Sequence, residues 1–214
     1  MSHAVVPLVA LDLSRRLMAF NWMTAGYAHR DWLGPWADIL EPRSKAGVRM
    51  VRRASIVLLE RYQLRERYVR DIGSNGWLLK PHGAVTRIAN EIGTAMLGGW
   101  VLHRLERQEV ALQLRVLGAE GRKTALERAH SMRALPFAPT KAGWPVAPTG
   151  PTTLLRLGLS CMAALLDDEE SGARERLTLR FPSGLIVPIT LTQKQRDEAI
   201  ALIHTTADGG FEPT

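Results

Sequence analysis

Apolar residues recur at three- and four-residue spacing along most of this chain, which predicts helices. From Ser44 to Tyr62, the residues Val48, Val51, Ser55, Leu58, Leu59 and Tyr62 share one face, and Arg49 and Arg53 lie on the opposite one. Ile56 and Val57 fall outside this stripe, so the second half of the helix is expected to be buried on more than one side. Pro81 suits the first turn of a following helix, where its missing N–H costs nothing. Val85, Ile88, Ala89, Ile92, Met96 and Trp100 then line one face. Gly93, Gly98 and Gly99 interrupt that stripe. A glycine inside a helix costs up to ~1 kcal/mol relative to alanine, so these three either admit a close neighbour or split the segment in two. Val110, Leu112, Leu114 and Leu117 continue a helical region to Gly118, and residues 119–133 read as a more polar helix.

The pattern changes near the C-terminus. Thr152 to Leu166 reads as a helix with a very wide apolar face that includes Leu157, Leu159, Cys161 and Met162. Residues 176–181 alternate instead, with Leu177, Leu179 and Phe181 on one side and Arg176, Thr178 and Arg180 on the other. Pro182, Ser183 and Gly184 are turn formers, and Leu185, Val187 and Ile189 line one face of a return segment. Together these predict a β-hairpin with one buried face, laid on helix 152–166. Pro188 cannot donate to a ladder, which makes the return strand an edge. Thr192 followed by Gln195 fits a capping box that opens a last helix.

Prolines and glycines divide the chain. Pro136, Pro139, Pro145, Pro148 and Pro151 crowd a short stretch with Gly143 and Gly150, which excludes regular helix or central strand. The expected organisation is a helical body over residues 1–134, a Pro-rich connector over 135–151, a helix–β-hairpin–helix unit over 152–206 packed on the body, and a loose tail over 207–214. The fold class expected is α+β, mostly α-helical.

Composition adds limits. The 214 residues are 46% hydrophobic and 23% charged, which excludes a disordered, collagen-like or disulfide-rich chain. A single cysteine forms no internal disulfide and points to a reducing compartment. The uncharged run Ile92 to Leu102 is 11 residues long, against the ~20 a spanning helix needs. No signal peptide is visible, so a cytoplasmic protein with no transmembrane segment is expected. Net charge is +7. The middle of the chain is basic, and residues 161–214 are acidic. Such asymmetry can mark two surfaces for two partners, or two parts that neutralise each other. The basic face with Arg49 and Arg53 and the acidic run Asp167, Asp168, Glu169 and Glu170 are the candidate partner contacts. Each is also the ordinary chemistry of a solvated surface. Trp22, Trp32 and Trp36, with Phe20 and Tyr27, fit either a core or an exposed docking face.

The chain carries little that would do chemistry. It has no GxGxxG, GxxxxGK[ST], HExxH, CxxC or GxSxG pattern, and its six histidines are scattered. The acidic run lacks the alternating ligands and central glycine of a calcium loop. No catalytic residue, metal or cofactor is expected. Charge without an RNA motif, zinc finger or basic zipper is a weak case for nucleic acid.

One order of features is nonetheless familiar. A helix runs from Leu154-Leu155-Arg156-Leu157-Gly158-Leu159 to Ala163-Ala164-Leu165-Leu166. After a short loop come Arg176-Leu177-Thr178-Leu179-Arg180-Phe181-Pro182 and a final helix. Upstream stand Ile56 to Leu64, a polar loop, Leu78-Leu79-Lys80-Pro81, and an aromatic start at Phe20-Asn21-Trp22 and Tyr27. In these, and in length, the chain resembles SctK, the accessory protein of the bacterial type III secretion sorting platform (the YscK and OrgA group). The resemblance implies a non-enzymatic cytoplasmic scaffold at the inner membrane. It would link the cytoplasmic domain of the SctD-like inner-ring protein to the C-ring-like SctQ protein, and through it to the SctL/SctN ATPase complex. The competing expectation is a basic helical regulator that binds nucleic acid.

Overall fold

The stripe predicted from Val85 onward is a real interior face: Val85, Ile88, Ala89, Ile92 and Met96 are all buried along one helix. The computed structural model describes residues 8–40, 47–70, 72–132, 152–166 and 172–208. These are helices joined by turns and irregular segments, with no strand among them. The fold is all-α, and the expected α+β class with its β-hairpin is corrected accordingly. The chain divides into two units, one comprising residues 1–79 with 168–184, the other 80–167 with 185–214.

The first unit contains α1 (Leu8–Trp22), α2 (Arg30–Leu33), α3 (Trp36–Leu40), α4 (Val48–Arg61), a 3-10 segment (Gly73–Leu79) and α9 (Ala173–Leu179). Its core gathers Leu33, Leu40, Ala54, Leu58, Leu59, Leu64 and Leu179, with Trp32, Trp36 and Tyr62 packed on it. Short α2 and α3 are set by Gly34, whose φ of 54° ends α2 in a backbone state that suits glycine.

α9 is where the expected first strand lies. Residues 176 and 180 are four apart, as are 177 and 181, so six alternating residues satisfy the helical period as well as the extended one. Leucine and arginine favour helix, and Thr178 is the only β-branched residue among them. Both sides of the alternation are buried: Arg176 is 1% exposed, Arg180 6%, Leu177 0% and Phe181 1%. The guanidinium of Arg176 donates to the carbonyls of Leu64 (3.0 Å), Gly172 (3.3 Å), Asn21 (3.5 Å) and Arg67. Arg180 donates to the Leu78 carbonyl at 2.7 Å. In return the α9 region accepts from the Trp32 indole N–H at the Phe181 carbonyl (2.6 Å) and from the His29 N–H at the Leu179 carbonyl (2.7 Å). Arg67 and Glu175 close the edge as an ion pair at 2.8 Å. The arginines thus place their guanidinium donors on backbone carbonyls, which is what a buried charge requires.

The second unit contains α5 (His82–Met96), α6 (Gly98–His103), α7 (Arg107–Ser131), α8 (Thr152–Leu165) and α10 (Gln193–Asp208). α5 packs most extensively on α8. A Cβ at Gly93 would overlap the Leu154 carbonyl, and one at Gly158 would overlap the Ala89 carbonyl. Position 93 therefore meets 154 while 89 meets 158, so the two helices run antiparallel with their backbones in contact. Both readings of the glycines hold. Gly93 admits a neighbour. Gly98 begins a new helix and also sits where a Cβ would fall 2.6 Å from Ala129 of α7. Gly118, at φ 71° and ψ 174°, breaks α7 into two pieces at the boundary read from the sequence.

The expected return strand, Leu185 to Ile189, is an irregular segment of this unit. Its Val187 N–H donates to the Ser160 hydroxyl of α8 at 3.0 Å, so a side chain takes the place of a ladder partner. Pro188 is exposed within it. The capping box is present as expected: Gln195 N–H donates to the Thr192 hydroxyl at 3.3 Å, and the Thr192 N–H donates to the Gln195 carboxamide oxygen at 2.9 Å. Residues 135–151 and 209–214, assigned to connector and tail, lie outside the described residues.

Cys161 is fully buried on α8, and burial pushes its thiol pKa up to about 12 while the Arg196 charge pulls the other way. The thiolate is the reactive form. Native protein at pH 8 is therefore expected to react with iodoacetamide roughly a thousandfold more slowly than urea-unfolded protein. Equal rates in the two states, measured by mass spectrometry, would contradict this placement.

Candidate functional site

The described surface with the clearest departure from an ordinary solvated face lies in the first unit, between α1 and α4. The stripe Ser55, Leu58 and Leu59 fixes which side of α4 faces the core. The Ser55 hydroxyl accepts the Ala25 N–H at 3.0 Å and donates to the Val51 carbonyl at 2.7 Å, which ties the end of α1 and its 3-10 turn to α4. That rotation leaves the other side of α4 outside, and it is not wholly polar. Ile56 is 47% exposed, Val57 44% and Val48 73%. The expectation that Ile56 and Val57 are buried on a second side is thus corrected: no element covers them among the described residues.

A groove of about 660 Å³ opens here, lined by Met18, Ala19, Trp22 and Met23 from α1 and its end, by Val48, Arg52, Ile56 and Leu59 from α4, and by Arg65. A second hollow of about 540 Å³ lies on the far side of Trp22, lined in part by Leu17, Tyr68, Val69 and Arg70. Trp22 stacks against Tyr68 with ring centroids 6.4 Å apart, and the Arg70 guanidinium lies 5.2 Å from the Tyr68 ring centre. The first hollow is mostly apolar and the second mixed, with Ser14 and Asn21 in its lining, and each has arginine among its lining residues.

Arg49 and Arg53, the basic candidates, are exposed on α4 beside this groove. The acidic candidates Asp167, Asp168, Glu169 and Glu170 lie outside the described residues. Arg52 and Met18 of this groove carry no mark in the sequence pattern, and Ile56 reads there as an interior residue. The signal that could have found the groove is Ile56, an apolar residue on the charged face of α4. The tryptophans divide: Trp32 and Trp36 pack on the core, and Trp22 is 44% exposed.

The other polar concentration of this unit is internal. Burial pushes the Tyr27 phenol up to about 12, against the charges of Arg176 and Arg180. The neutral phenol donates to the Phe20 carbonyl at 2.7 Å. Burial also pulls Arg176 and Arg180 down from the usual arginine range. Every polar contact described for these groups goes to main chain or to a neighbour within the cluster, which is an architectural arrangement. No cluster of side chains able to hold a metal, and no helix long and apolar enough to cross a membrane, occurs among the described residues.

Comparison with known families gives one result. The family model described as YOP proteins translocation protein K (YscK) matches residues 17–208. No curated protein and no solved structure matches the chain.

Proposed function

This chain belongs to the YscK family and is a type III secretion protein, and from that premise we propose that it is a non-enzymatic adaptor of the sorting platform. In this reading it works at the cytoplasmic face of the inner membrane. It bridges the cytoplasmic domain of the SctD-like ring protein and the SctQ-like C-ring protein, and through the latter connects to the SctL/SctN ATPase complex. The observation that carries the reading is the family match, which spans α2 through α10 and the last six residues of α1. The exposed α1/α4 surface supports it, because apolar residues ringed by arginine suit protein contact better than catalysis. Arg49, Arg53 and the acidic run 167–170 remain the proposed charged contacts.

Size-exclusion chromatography with light scattering tests this at about 0.15 M salt. The protein is run alone, with each of the two proposed protein partners, and with random duplex DNA. A discrete complex with either protein and none with DNA is the expected result. A complex with DNA alone, weakening steeply with salt, would replace the adaptor with a nucleic-acid-binding regulator.

A further inference from the structure

We propose that the α1/α4 groove is the seat of an acidic amphipathic helix from a partner protein. Two rows of exposed side chains face it. Met18 and Trp22 are four apart on α1, and Val48, Arg52 and Ile56 are four apart on α4. Rows at this spacing are the ridges against which a further helix packs. The α4 row is about 12 Å long, two turns of a partner helix, and a helix whose apolar residues recur at i, i+3, i+4 and i+7 fills such a trough.

Charge selects which helix. Arg52 stands within the α4 row, Arg65 closes one end, and Arg49 and Arg53 lie on the outer side of α4. Arg65 and its acidic neighbour Glu60 pair at 3.3 Å and offset each other, so the positive charge of the rim comes from Arg49, Arg52 and Arg53. The walls are therefore apolar and the rim cationic, complementary to leucine-like anchors flanked by carboxylates, which a guanidinium grips in bidentate fashion. A bilayer offers a broad surface that meets convex or flat protein faces, and a trough between two helices gives it little contact. A nucleic acid has no group for the apolar floor. The proposal deepens the adaptor reading, because it rests on the chain having a protein partner and says which surface and what chemistry meet.

The test needs no component of the secretion apparatus. A displayed library of helical peptides about five turns long fixes the apolar stripe and leaves each flanking position free to be Glu or Lys. It is selected on the full-length protein and counter-selected on Ile56→Glu and on Arg52→Glu, each first shown to melt like the wild type. The expected outcome is enrichment of Glu over Lys, with enriched peptides bound roughly tenfold or more weaker by either variant. The double variant Arg52→Glu/Arg65→Glu should invert the preference toward Lys. Peptides that bind all variants equally, enrichment without charge preference, or no enrichment would overturn the proposal. So would phosphatidylserine vesicles that bind in an Ile56-dependent manner while no peptide does. Any of these leaves the adaptor reading standing if the chromatographic complexes form. Loss of those complexes with intact peptide binding would count against the adaptor reading and leave the groove.

Discussion

Gly158→Ala is expected to shift the urea unfolding midpoint by the equivalent of about 3 kcal/mol or more toward instability. Two effects compete. Alanine is the better helix former by up to ~1 kcal/mol. Against this, the new methyl would occupy the space of the Ala89 carbonyl on α5. The obstacle is main chain and cannot rotate away. α8 must therefore lift off α5, and that opens the contact holding Ile92, Leu157 and Cys161 in the core. The loss of close packing outweighs the propensity gain. Gly83, also on α5, is the control, since nothing lies within 4 Å of its Cβ position. Gly83→Ala should be neutral or more stable by less than ~1 kcal/mol. Equal midpoints for the two variants would refute the close antiparallel contact.

Arg176→Met should cost about 3 kcal/mol or more, through the acceptors it strands. A methionine fills much of the volume and removes the cost of burying a charge. It leaves the carbonyls of Leu64, Asn21 and Arg67 without the donor they share, while the Gly172 carbonyl keeps the backbone N–H of residue 176 at 3.1 Å. A buried acceptor without a partner costs about 1–3 kcal/mol, and here several are stranded together. That is a large part of the ~5–15 kcal/mol a domain has in all. Arg176→Lys keeps the charge but not the planar fork, so it should recover part of the loss. A Met variant within ~1 kcal/mol of wild type in urea melts would mean that water serves those carbonyls and that the arginine is dispensable.

These two sites differ in how far the sequence reveals them. The α5 stripe, the α8 stripe, the Thr192 cap and the break at Gly118 follow from local spacing and were readable. Gly93 announced a close neighbour without naming it, because α8 lies far along the chain. α9 was misread because six residues cannot separate a period of two from one of 3.6 when their charged positions are also four apart. What decides between them is the set of carbonyls offered by residues 21, 64, 67 and 78, and no local window contains those. The groove was hidden for the opposite reason. Ile56 and Val57 look like core by composition, and only the rotation fixed by Ser55, Leu58 and Leu59 shows them outside. The family resemblance survived the wrong strand assignment, because it rests on residue order and identity.

The route of the chain through its two units sets a timetable for synthesis. The first unit draws its last piece from residues 168–184, and the Trp32 indole waits for a carbonyl 149 residues away. On a ribosome, the N-terminal helices emerge long before α9. Roughly a hundred residues must be added in between, about 5–20 s at ordinary elongation rates. During that interval the core around Leu58 and Leu64 lacks Leu179, and the carbonyls meant for Arg176 lack its guanidinium. The second unit is likewise unfinished until α10 leaves the tunnel. A nascent chain stalled anywhere before residue 184 is an incomplete protein twice over, with apolar surface open to chaperones and to other chains.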